Sequence, residues 1–229
     1  SQIGGPITAG AIDASAGTAI DLGRTNFIFG LTGLSTASGD ITYRNRSNVM
    51  LDEVSVPGRL TLISETGSIT QATDTSVSAG TLAASAADAV DLTGTNHIAN
   101  LGALSAGNAI SVSTQDSLTL TGDISAASVA LTSGTGAITQ TGGTVTASTL
   151  TLRAGSDITL DLANAVGVFN AWAGIGNTIT LRNAGDLVVK AITAQNGVVN
   201  LISNTGSVGQ QVVPGYAIWT GKLNANAAT

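Results

Sequence analysis

Cysteine is absent from the 229 residues, and histidine occurs once. There is therefore neither a disulfide framework nor a thiolate metal site. Charge is the larger deficit. Asp, Glu, Lys and Arg make up 10% of the chain, against about a quarter of an ordinary soluble domain. Two glutamates (Glu53, Glu65) and two lysines (Lys190, Lys222) are too few for the solvated faces of a helical bundle. Eight basic residues against fourteen acids, a net charge of −6, exclude the basic footprint of a nucleic-acid binder. No run approaches eighteen apolar residues, so the sequence predicts no membrane insertion. Aromatics are 3% of the chain while apolar residues reach 43%. Mean hydropathy is +0.34, the opposite of a disordered chain. Thr, Ser, Ala and 29 glycines stand where charge would be. The chain opens at Ser1 without a charged-then-apolar leader, which predicts a mature or excised piece.

What is present is repetition. Leu60-Thr-Leu-Ile-Ser-Glu-Thr-Gly-Ser-Ile-Thr-Gln71 returns as Val129–Gln140 and Val199–Gln210, at nearly equal intervals. Ile41–Leu51, Ile110–Leu120 and Ile179–Val189 recur with the same spacing. The chain reads as one continuous domain, residues 1–229, in three similar units: 7–76, 77–144 and 145–211. Residues 212–229 read as a partial coil or cap.

Each unit divides again into apolar-x-apolar, a short turn, then x-apolar-x-apolar, as in Leu150-Thr-Leu-Arg-Ala-Gly-Ser-Asp-Ile-Thr-Leu160. Period two marks strands with one buried face. The first apolar residue falls at Ile12, Ile41, Leu60, Leu82, Ile110, Val129, Leu150, Ile179 and Val199, in a long-short-medium cycle. Steps of this size, broken by Gly, Asn, Asp and Ser, fit coils of a solenoid. Leucine-rich, propeller and hexapeptide signatures are all missing. The predicted fold is all-β, a right-handed single-stranded parallel β-helix of nine to ten coils. Stacked strands repeat each position about 4.8 Å away, where like charges repel and Thr or Ser can hydrogen-bond along the column.

Several stretches resemble the shaft repeats of filamentous-haemagglutinin-like exoproteins, the β-helical passengers of two-partner secretion in Gram-negative bacteria. They are Thr-Ala-Gly-Ala-Ile at 8–12, Ala-Val-Asp-Leu-Thr-Gly-Thr-Asn at 89–96, Ile-Ala-Asn-Leu-Gly at 98–102 and Gly-Ala-Ile-Thr-Gln-Thr-Gly-Gly at 136–143. The likeness runs from about Ile7 to Gln211. It implies a secreted or cell-surface fibre acting in adhesion, aggregation or biofilm assembly, exported through an outer-membrane transporter. The Asn-Pro-Asn-Gly and Asn-x-Asn-Gly-Ile motifs of that family's secretion domain are absent, so the resemblance implies shaft.

No unique constellation suggests catalysis, a cofactor or a metal. The single histidine, His97, aligns with Phe27 and Ala165 in the other units and reads as a solvated residue. The acids are scattered, Asp88 and Asp91 aligning with Ser156 and Thr159, which favours turn and surface roles. Asn26, Asn96 and Asn164 share one repeat position and read as corner residues with positive φ, three coils apart. Two regions break the pattern. One, at 43–59, holds Tyr43, Arg44 and Arg46; the other, at 210–223, holds Tyr216, Trp219 and Lys222. Aromatic and basic residues together are common contact material.

The sequence thus points to a structural, adhesive solenoid segment. Its expected partners are adjoining solenoid segments or copies of itself end to end, with glycans or proteins of a host or matrix. A carbohydrate-active β-helix is the alternative, and would need several acids meeting on one strand face. A filament subunit stacking head to tail is the third reading.

Overall fold

The computed structural model describes residues 1–211 and 217–227. These form eighteen strands and no helix. The strands pair in parallel, and the chain winds as a β-solenoid of about eleven turns. Along one side, Val49, Ile69, Val90, Ile110, Val129, Leu150, Phe169, Val189 and Gln210 occupy successive rungs at nearly even spacing along the chain. On the other side stand Ile41, Leu60, Leu82, Leu101, Leu120 and Gln140. Alternation puts every second residue inside. The strand Val145–Ala154 buries Val145, Ala147, Leu150, Leu152 and Ala154 and turns Thr146, Ser148, Thr151 and Arg153 outward.

The coil count therefore exceeds the nine to ten expected, and the reason lies in phase. Val49 to Ile69, Ile69 to Val90 and Val90 to Ile110 are single turns of nearly equal length. One sequence unit, such as Ile41 to Ile110, is three and a half of them. The long steps in the sequence cycle, such as Leu82 to Ile110, are one and a half turns. Ile41 lies in the column with Leu60 and Leu82, whereas its copy Ile110 lies across the rod between Val90 and Val129. Successive copies face opposite sides. Ile179 returns to the first side, in the column Leu118, Ile138, Ile158, Ile179, Val199 and Leu223.

The interior is a single stack of Val, Ile, Leu and Ala, with Tyr43 and Phe169 as its largest members. Polar residues enter it in ordered triplets. Asn26, Asn45 and Ser64 stack on consecutive rungs, as do Asn164, Asn183 and Ser203. Asn96, Thr114 and Ser133 form the middle triplet, and all nine are buried.

These asparagines are not the positive-φ corners expected from sequence. Among the described non-glycine residues, positive φ occurs at Asp74 and Asn196. Instead each asparagine amide satisfies the backbone where the chain turns. Asn26 accepts from the amide of Ile7, Asn45 from Ile28, Asn96 from Val77, Asn164 from Val145 and Asn183 from Val166, at 2.8 to 2.9 Å. A corner in a narrow coil breaks the ladder, and a buried N–H left there without a partner would be costly. Asn26 and Asn96 are also three and a half turns apart, on opposite sides.

Outside, the shortage of charge has its structural counterpart. Arg59, Thr81, Asn100, Thr119, Thr139, Thr159, Thr180, Asn200 and Asn224 form one unbroken column of rungs. Hydrogen bonds run along it, Asn200 to Thr180 at 3.2 Å and Asn224 to Asn200 at 2.7 Å. Like charges at that spacing would repel on every rung.

Candidate functional site

Four of the acids are held at the corners of the coil. Asp40, Asp123, Asp157 and Asp186 each accept from a backbone N–H one turn later: Arg59, Thr144, Thr178 and Ser207, at 2.7 to 2.8 Å. Ser207 donates to Asp186 through both its amide and its hydroxyl, holding that carboxyl below the ordinary carboxylate range. Asp88 is lowered in the same direction, chiefly by the Asn108 amide on the next turn and then by the Ser68 hydroxyl on the previous one. Its carboxylate is a link in the stack. A carboxyl NMR titration should place the Asp88 midpoint below that of a free Asp, and Asn108→Ala should move it upward. Because the folded value is depressed, the contribution to stability is present above the unfolded pKa and lost as pH falls through the folded one.

Two carboxylates, Asp74 and Asp91, border a shallow groove with Gln71, Thr93 and Gly94. His97 meets Asp116 through Nδ1 at 2.8 Å, and both side chains are more than half exposed. Among the described residues, no group of three His, Cys, Asp or Glu is arranged to hold a metal ion.

The first aromatic and basic region divides on folding. Tyr43 is 1% exposed and belongs to the core, so it is no part of a contact surface. Burial pushes its phenol far above the ordinary tyrosine range. Alternation explains the correction: Ile41, Tyr43 and Asn45 point in, while Arg44 and Arg46 point out. Arg44 pairs with Glu65 at 3.2 Å, and its Nε is buried without a hydrogen-bond partner. The Thr25 hydroxyl donates to Glu65 at 2.7 Å and, with Arg44, lowers the Glu65 pKa. Arg46 lies over the Phe27 ring, 5.4 Å from its centroid. Phe29, next outward on the same strand, is 80% exposed. Phe27, Phe29 and Glu65 were not singled out in the sequence, because they are one turn away from Arg44 and Arg46 along the chain.

The second region divides differently. Tyr216 lies outside the described residues. Trp219 is 67% exposed, and Lys222, on the rung after Val198, is exposed as well. Folding brings Trp219 into one outward column with Arg153, Trp172 and Thr193. The Arg153 guanidinium sits 4.2 Å from the Trp172 ring centroid. The members of this column are unevenly spaced along the chain, a signal readable only once the path of each turn is known.

A family described as Repeats of unknown function (DUF5649) matches residues 38–105 and 106–174, more than half of the chain. The chain belongs to that family. The two matched DUF5649 copies adjoin at Ser105 and Ala106, and each spans three and a half turns, so a single copy does not close on its own starting side. No curated protein and no solved structure matches the chain.

Proposed function

We propose that this chain is a structural, adhesive segment of a large secreted fibre on a Gram-negative bacterial surface, working without catalysis. The observation that carries the reading is the continuity of the stack. Interior columns and corner triplets recur through all three units, and the carboxylates of Asp40, Asp88, Asp123, Asp157 and Asp186 are taken up in turn-to-turn bonds. Such an architecture spends its residues on length and stiffness. The likeness to filamentous-haemagglutinin-like shafts supports export through an outer-membrane transporter and end-to-end joining to further solenoid. Adhesion, aggregation or matrix assembly would follow from the outward faces.

Beads coated with the purified chain should be retained on cell or matrix surfaces above beads carrying an inert protein of equal net charge. Equal retention would overturn the adhesive reading. Release of oligosaccharides from a polysaccharide by the purified chain would overturn the non-catalytic one.

A further inference from the structure

One outward strip gathers the tryptophans. Ser113, Thr132, Arg153, Trp172, Thr193 and Trp219 occupy six successive rungs of a single column. Both tryptophans of the chain are in it. In the first two units the corresponding outward residues are Ser35 and Ser105, in Leu-Ser-Thr and Leu-Ser-Ala, where the third unit reads Ala171-Trp172-Ala173. The stack does not require an aromatic at this place, since serine serves it twice.

Segments 109–114, 128–133, 149–154, 168–173, 188–194 and 217–221, which carry the strip, contain no Asp or Glu; the nearest acid in the stack, Asp91, lies one rung before them beside Ser111. They contain Arg153, and Lys190 at the bulge opposite Asn170. In a chain with fourteen acids and eight bases, the six segments that carry the strip offer an anion no opposing carboxylate.

We propose that this strip binds an acidic polysaccharide, a chain of uronate-bearing pyranose rings lying along the rod axis. The proposal deepens the adhesive reading by naming the partner's chemistry. Trp172 and Trp219 are two rungs apart, roughly 9.5 Å at the parallel-sheet spacing, with the small Thr193 between them. A sugar ring laid over Thr193 would have an indole on the rung to either side for its apolar face. Arg153, held against Trp172 by cation–π attraction, can pair with a carboxylate through two parallel N–H donors. Beside the column, Thr151 and Asn170, joined at 3.4 Å, add donors and acceptors for ring hydroxyls. A second copy docked on the same strip would set Arg153 against Arg153 with no Asp or Glu on these segments between them, whereas an acidic polysaccharide brings the opposite charge.

Because both tryptophans lie in the strip, intrinsic fluorescence reads the site directly. Titration with oligogalacturonate should give a saturable change in emission that weakens with salt. The fully methyl-esterified oligomer should bind more weakly. Trp219→Ala should reduce affinity by at least about tenfold, and Arg153→Gln should abolish the preference for acid over ester while leaving residual binding. Both side chains reach the outer face, and circular dichroism should show the parent β-sheet signal for each variant. No emission change with the acidic oligomer, or variant titrations that superimpose on the parent, would overturn the proposal. A response to an acidic aromatic peptide and none to oligogalacturonate would overturn it in favour of a protein partner. Bead adhesion that survives both substitutions would sink this inference and leave the adhesive reading standing. Oligogalacturonate binding without bead adhesion would do the reverse.

Discussion

Asn164→Ala should lower the free energy of unfolding by about 3–5 kcal/mol, the largest effect expected of any single polar substitution here. Asn164 is 0% exposed. Its Oδ1 accepts from the Val145 amide at 2.8 Å and from Gln140 at 2.9 Å. Its Nδ2 donates to the Leu162 and Arg182 carbonyls at 2.8 and 3.2 Å, and to Gln140 Oε1 at 3.0 Å. Alanine would take the partner from a buried N–H, from two carbonyls and from Gln140 Oε1, while Gln140 Nε2 keeps its bond to the Gly143 carbonyl, at about 1–3 kcal/mol for each group that water cannot reach. Urea denaturation measures the loss, and hydrogen exchange at the Val145 amide localises it. A change below about 1 kcal/mol would mean that water takes over the corner.

Asn164→Asp sharpens the same point through pH. The shape and the acceptor for Val145 survive, but the donors to the carbonyls do not. Ionised, the introduced carboxylate would face those carbonyls without solvent, so its folded-state pKa should rise above the unfolded value of about 3.9. The sign follows from that direction. Relative to the parent, the variant should be least destabilised below about pH 4, and the deficit should grow as pH rises through the folded pKa. A stability difference from the parent that stays constant between acid and neutral conditions would contradict this.

Tyr43→Ala should cost about 3–5 kcal/mol, whereas Arg46→Ala should change stability by no more than about 0.5 kcal/mol. The two residues lie three positions apart in the same patch of sequence. Tyr43 stacks between Leu22 and Leu62 inside the coil, where a truncated ring leaves a cavity that stiff strands cannot close. Arg46 is exposed and contributes a cation–π contact to Phe27. Comparison of urea midpoints for the two variants checks the assignment. Equal and small losses would return Tyr43 to the surface.

Much of the fold was legible before folding. Leu150-Thr-Leu and its copies show period two, and period two in short runs means strands whatever their neighbours. The long repeat unit is visible because Leu60–Gln71 is nearly copied at Val129–Gln140. The turn was less legible. Strand starts such as Ile20, Ile41 and Leu60 share only an apolar side chain, and the corners between them differ in length, with register shifts at Leu22/Asn26, Val56/Arg59 and Leu160/Asn164. The repeat of best identity therefore masks a shorter one to which it is not commensurate. Candidate residues suffered for the same reason: Arg44 and Tyr43 are neighbours in sequence and face opposite ways, while Arg153 and Trp219 are distant in sequence and share a column.

By itself the sequence determined that this chain is a solenoid of stacked strands with little charge. Each rung repeats the last at a few ångströms, and only Thr, Ser, Asn, Gly and small apolar residues tolerate that repetition. Tertiary structure alone decided which residues meet across turns. That depends on how much chain one turn consumes, as from Val49 to Ile69 or Val90 to Ile110, and a sum of strand and corner lengths is fixed only when the coil closes. The half-turn phase of the repeats, the buried asparagine corners and the tryptophan strip all follow from that closure.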